Sequence, residues 1–145
     1  MTNPLRVVLA GYAAALQDIQ AVRIAVFVVE QQLPLEEEFD DRDPLSQHAV
    51  VYDCGMAVGT GRMDPGQDGR IGRVAVLPEF RRRGIGRQVM QVLEQTARQQ
   101  GVPRLWFHAQ VSAVPFYMEL GYELDGEEFL ELDIPHVLMQ KRLSS

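Results

Sequence analysis

The stretch Arg70-Ile-Gly-Arg-Val-Ala-Val-Leu-Pro-Glu-Phe-Arg-Arg-Arg-Gly-Ile-Gly-Arg87 changes period half-way. Arg70 to Leu77 reads as a strand, and Pro78 breaks it. Beyond the break, Ile85, Val89, Val92, Leu93 and Ala97 share one face of a helix that ends near Gly101-Val102-Pro103. A strand thus runs through a short turn into a helix opening at Gly84 to Gly86. The first N–H groups of a helix have no intrahelical acceptor, and the macrodipole makes that end positive. Glycine lets the backbone approach a bulky anion closely. Arg81, Arg82, Arg83 and Arg87 add charge-assisted donors. The combination suits a pyrophosphate; a basic helix start with turn glycines is the plain alternative. A P-loop is excluded because no Lys-Ser/Thr follows the glycines, and G-x-G-x-x-G at a first strand does not fit either.

Working outward, Leu5 to Ala10 reads as a strand and Ala13 to Val29 as an amphipathic helix carrying Leu16, Ile19, Val22 and Val26. Gln31 to Gln47, with Pro34 and Pro44, is expected to be an irregular loop with at most a short helical turn. His48–Asp53 and Met56–Met63 flank Cys54-Gly55 as a hairpin. After the helix, Leu105 to Ala109 is a short buried strand. Ser112 is expected to cap a helix with Pro115 in its first turn and Gly121 past its end. Tyr122–Leu132 and His136–Leu143 supply two last strands. Three hairpin-linked strands in succession exclude a doubly wound nucleotide fold.

The chain has 145 residues, 46% hydrophobic and 23% charged, which is the balance of one folded, soluble domain. The lone cysteine, Cys54, admits no internal disulfide, and no signal-like or membrane-spanning apolar run is seen. A cytoplasmic location is expected. Net charge of -6 argues against nucleic acid as a partner. Charge is segregated, however. Glu36, Glu37, Glu38, Asp40, Asp41 and Asp43 form an acidic run, while Arg70, Arg73 and the four cradle arginines form a basic one. Either these are two solvated faces, or one field meets an anionic ligand and the other a cationic one. No His/Cys/Asp/Glu spacing suggests a metal.

Arg81-x-x-Gly84-x-Gly86 after the strand Arg73-Val74-Ala75-Val76 resembles the acetyl-CoA motif of the GNAT N-acetyltransferase superfamily. Ala113-x-x-Phe116-Tyr117-x-x-x-Gly121-Tyr122 is similar to its second signature. Val26-Phe-Val-Val-Glu-Gln31, Ala109-Gln110 and Ile134-Pro-His-x-x-Met139 look like the ElaA-like branch.

The resemblance spans about Ala21 to Leu143. It implies one α/β (α+β) domain over residues 1–145, with a mixed, mostly antiparallel sheet of about seven strands and helices on both faces. Two central parallel strands, around Val74–Val76 and Leu105–Ala109, would splay apart beside a bulge near Gly72-Arg73. The same resemblance implies acetyl transfer from acetyl-CoA, as co-substrate, to a primary amine by direct attack. Cofactor contacts would then fall to Val74, Ala75, Val76, Arg81, Arg82, Arg83, Gly84, Ile85, Gly86, Arg87, Gln110 and Phe116. Tyr117 would be the general acid, although Phe116-Tyr117 would pack as core aromatics in any fold. The base is open: Gly72 to Val76 carry no carboxylate, which leaves Glu30, His136, Glu131 or water. His48 and His108 read as structural. Glu30 and the Glu36–Asp43 loop are expected to rim the acceptor side. The partner is a small-molecule or peptide amine, with no nucleic acid and no membrane, and a homodimer is left open. The competing reading is a non-catalytic acyl-CoA-binding regulatory module.

Overall fold

The computed structural model describes residues 5–143. Met1 to Pro4 of the opening stretch and the Glu37 side chain of the acidic run lie outside the described residues. In chain order the elements are β1 (Leu5–Ala10), α1 (Leu16–Arg23), α2 (Leu35–Glu38), β2 (Gln47–Asp53), β3 (Met56–Asp64), β4 (Arg70–Val76), α3 (Ile85–Gln99), β5 (Arg104–Gln110), α4 (Val114–Glu119), β6 (Glu123–Leu124), β7 (Phe129–Glu131) and β8 (Ile134–Arg142).

The strands form one sheet in the order β1-β2-β3-β4-β5-β8-β6, with β7 also paired to β8. β4 and β5 are the parallel pair, and the remaining pairings are antiparallel. Among the described residues the sheet therefore has eight strands, one more than expected. The extra one arises because Tyr122–Leu132 splits into β6 and β7 around Gly126, whose φ is +103°. The hairpin turn Cys54-Gly55 has positive φ at both residues, which matches the right-handed twist of β2 and β3.

Two layers cover the sheet. α3 packs Ile85, Val89, Met90, Leu93 and Ala97 against Val58, Met63, Ile71, Leu105 and Phe107. α1 packs Ile19 on Val50, and Val22 on Ala75, from the other side. Gly59 and Gly61 of β3 let α3 sit close: a Cβ there would meet Ile85 Cγ2 at 2.6 Å and Val89 Cγ1 at 2.7 Å.

The expected helix over Ala13–Val29 begins later, at Leu16, and changes pitch. Ile24–Glu30 is π-helical, ending with Gln31 N–H donating to the Val26 carbonyl at 3.0 Å. Ser112 does not cap α4. It lies inside a 3-10 turn, Val111–Ala113, so the α-helix starts one residue later at Val114 with Pro115 in its first turn.

Candidate active site

β4 and β5 touch at one register pair, Arg70 with Trp106, and diverge beyond it. Gly69 holds that joint. Its carbonyl accepts from Trp106 N–H at 3.2 Å, and its φ of +84° leaves a position where a Cβ would run into the Arg104 carbonyl. A bulge opens the V. Gly72 pairs Arg62 and Ala75 pairs Thr60, so Arg73 and Val74 together oppose one residue of β3. Arg73 carries φ +53°. The extra residue resets the alternation, so that Ile71 and Val74 both pack toward α3 while Ala75 packs toward α1. The expected bulge and splay are both present.

The V leads into a cleft of about 800 Å³. At one end lies the start of α3. Gly84 caps it in the left-handed conformation, φ +78°, and the first closed turn bond is Gln88 N–H to the Gly84 carbonyl at 3.1 Å. The N–H groups from Arg82 to Arg87 therefore have no backbone acceptor among the described residues. A Cβ on Gly86 would meet Phe116 Cζ at 3.1 Å, so the helix start and α4 are in near contact.

Val74, Ala75, Val76, Arg81, Arg82, Gly84, Ile85, Gly86, Arg87, Gln110, Phe116, Tyr117 and His136 all line this cleft. Two expected residues do not. Arg83 turns away to Asp53, 3.4 Å, and stacks on Phe80. Glu30 is gripped by Arg81 through contacts of 2.8 and 2.6 Å. The hydrogen bond from Arg81 holds the Glu30 carboxyl below its ordinary range, which makes it a poor proton acceptor. Arg81 also donates from Nε to the Val76 carbonyl at 3.0 Å. Its fork ties the cradle to β4 and the π-turn.

Tyr117 stands on the α3 side of the gap, its ring 4.4 Å from that of Phe107. Burial raises its hydroxyl pKa above the ordinary value, so it stays protonated at neutral pH. The hydroxyl has no hydrogen-bond partner among the described residues and is not sealed from solvent.

The acidic run does not meet the cleft as a row of free carboxylates. Arg23, 1% exposed, bonds Asp43 at 2.8 Å and Glu38 at 3.3 Å. Arg62 reaches Asp43 at 2.6 Å and Asp40 at 2.7 Å, and Arg73 reaches Glu38 at 3.1 Å. Arg23, Arg62 and Arg73 thus partly neutralise the acidic run. The arginine bonds outweigh the burial of Asp43 and hold it down, whereas burial wins at Glu38 and raises it. Of these groups, Glu38 and Arg73 line the cleft.

On the opposite wall the structure joins two candidate bases, Glu131 and His136, to His108, which the sequence reading takes as structural. His108 Nδ1 lies 2.9 Å from Glu131 Oε1, and His136 Nε2 lies 3.7 Å from Glu131 Oε2. Phe129 stacks on His136 and meets His108 edge-on. A two-residue turn, Leu132-Asp133, with φ of +50° and +62°, folds β7 onto β8 and delivers Glu131. Glycine or asparagine would have signalled that turn; leucine does not.

A profile of the acetyltransferase (GNAT) domain matches residues 14–143. The chain belongs to the GNAT acetyltransferase family. It is 41% identical over 140 residues to YjcF of Bacillus subtilis, an N-acetyltransferase described as uncharacterized, covering 94% of this chain and 99% of that one. The ElaA likeness is borne out in three dimensions. Escherichia coli ElaA superposes with a TM-score of 0.82 at 26% identity, covering 94% of this chain and 99% of that one. An aminoglycoside 6'-N-acetyltransferase solved with coenzyme A shares the fold at a TM-score of 0.72 and 15% identity, covering 97% of this chain and 98% of that one. This GNAT chain is an acyltransferase, and no helix among its described residues is long and apolar enough to cross a membrane.

Proposed function

We propose that this GNAT chain transfers the acetyl group of acetyl-CoA to a primary amine by direct attack in a ternary complex. The observation that carries the reading is the continuity of one cleft. Unpaired N–H donors at the start of α3, the edge of β4 bared by the splay, and the Tyr117 hydroxyl follow one another along it. These groups fit a CoA thioester: N–H groups and Arg82 and Arg87 for the pyrophosphate, Val74 to Val76 for the pantetheine amides, Phe116 and Gln110 along the arm. The bound thioester supplies the activated acyl group. Main-chain donors near Val76 would stabilise the charge that develops on its carbonyl oxygen. Tyr117 holds a proton at the position where the sulfur departs. Gln110 is fixed for its task by donating to Gln31 at 2.9 Å.

The acceptor enters between the π-turn and the β7–β8 hairpin, past Leu33, Pro34, Leu132 and Ile134. That apolar rim, with Glu38 and Glu131 behind it, favours a small-molecule or peptide amine with an apolar body. The test is thiol release from acetyl-CoA with alkyl, arylalkyl, polyamine and peptide amines. Saturable, amine-dependent release with at least one class is expected. Tight acetyl-CoA binding without release from any amine would replace this reading with that of a non-catalytic acyl-CoA module.

A further inference from the structure

The acid has an address in the cleft, and the base has none on β4. β5 supplies the other candidate surface. Leu105, Phe107 and Ala109 point into the α3 core, so Trp106, His108 and Gln110 project from the opposite face of the same strand. Tyr117 touches Phe107 on the first face. His108 is thus across the strand gap from Tyr117, within the same cleft.

We infer that His108 is the proton acceptor for the incoming amine and that Glu131 positions it. Carboxylate contact at Nδ1, 2.9 Å, makes that nitrogen the N–H donor and leaves the lone pair on Nε2. Nε2 has no partner among the described residues and is not sealed from solvent; the side chain is 25% exposed. This is the carboxylate–imidazole arrangement in which the anion fixes the tautomer and stabilises the imidazolium that forms. The ring is held edge-on by Trp106 at 5.9 Å and Phe129 at 4.9 Å. The charged and titratable groups around it are Arg70 from β4, 3.5 Å from Nδ1, Glu131 from β7 and His136 from β8. Arg70 competes weakly for Nδ1 and leaves Nε2 alone. The positive φ of Leu132 and Asp133 is backbone strain spent on placing Glu131.

The step builds on the acetyl-transfer reading. His108 Nε2 takes one proton from R–NH₃⁺, freeing the nitrogen lone pair to form the C–N bond as the C–S bond breaks. Tyr117 gives its hydroxyl proton to the departing sulfur and recovers one from the nitrogen. The imidazolium of His108 then releases its proton to solvent, so one proton leaves per turnover. Acid and base act from opposite faces of one strand pair and do not neutralise each other.

Nitrogen NMR of the imidazoles of the full chain in mildly alkaline buffer reads the tautomer without turnover. Loss of one ring spectrum in His108→Gln assigns it. The Nδ1–H tautomer is expected for His108, with a mixed population in Glu131→Gln. With the amine of highest kcat/KM and acetyl-CoA, His108→Gln is expected to lose about 100-fold or more in kcat/KM while acetyl-CoA affinity is kept. An Nε2–H tautomer in the wild type, or a folded His108→Gln that keeps its rate, overturns the assignment. Failure of the acetyl-transfer reading looks different, since the wild type itself would then turn over no amine.

Discussion

The two ends of the cleft are made of different materials. At the end proposed for the pyrophosphate the donors are main-chain N–H groups of one unbroken segment, Arg82 to Arg87. At the end proposed for the acceptor the polar groups are side chains of Gln31, His108, Glu131 and His136, drawn from four separate segments. Once α3 forms, the core of the first end exists, because helix geometry alone leaves the N–H groups of Ile85, Gly86 and Arg87 unpaired. The second end exists only when the π-turn, α2 and the β7–β8 hairpin are all docked. Damage at the first end should therefore appear as lost affinity for the cofactor. At the second it should appear as lost stability or lost rate.

The buried arginines offer the hardest blow to the acceptor side. Arg23→Met removes the cation that Asp43 and Glu38 share and leaves carboxylates buried without it. A loss of about 3–5 kcal/mol is expected, read from the urea unfolding midpoint. Next comes Tyr117→Phe, which removes a hydroxyl with no hydrogen-bond partner among the described residues. Its expected signature is a fall in kcat of about 100-fold with unfolding and acetyl-CoA affinity unchanged. An unchanged kcat would leave Tyr117 with its core packing against Phe107 alone.

Acid sharpens the same contrast. The Arg62 hydrogen bond holds Asp40 at about 2, against an ordinary 3.8. A depressed carboxyl stabilises the fold above the ordinary value, and that contribution fades as pH falls from about 4 toward 2. His48, lowered by burial, adds a loss that starts as pH drops below its ordinary 6.5. Glu38, raised, works the other way. The net expectation is progressive acid destabilisation of the acceptor side, measurable as amide exchange around α2 rising before that of α3. The smallest effect should come from Arg81→Gln. Its pair with Glu30 is exposed, so stability should change by less than about 1 kcal/mol in the same urea titration.

The same division explains what could be read from the chain. The strand–turn–helix around Gly84 was legible because period, glycine and charge coincide within one short segment. The bulge and splay followed from the resemblance of that segment, and the structure has both. The acceptor wall was not legible. Leu132-Asp133 carries no turn glycine, so β7 merges with β6 in the reading, and Glu131 stands there as a candidate base without its histidine partners. The π-turn Ile24–Glu30 is a run of apolar residues whose pitch no periodicity distinguishes from α. The pairing of the acidic loop with Arg23, Arg62 and Arg73 joins segments 15 to 35 residues apart, beyond the reach of local patterns. His108 looked structural for the same reason, since its partner lies 23 residues further along the chain.

The proposed function stands on the start of α3 holding the pyrophosphate of a CoA thioester. Calorimetric titration of acetyl-CoA into the wild type and into an Arg82→Glu, Arg87→Glu double variant tests it most directly. Saturable binding to the wild type is expected, weakened about tenfold or more in a variant that unfolds at the same urea concentration. A folded wild type that takes up no acetyl-CoA would contradict it.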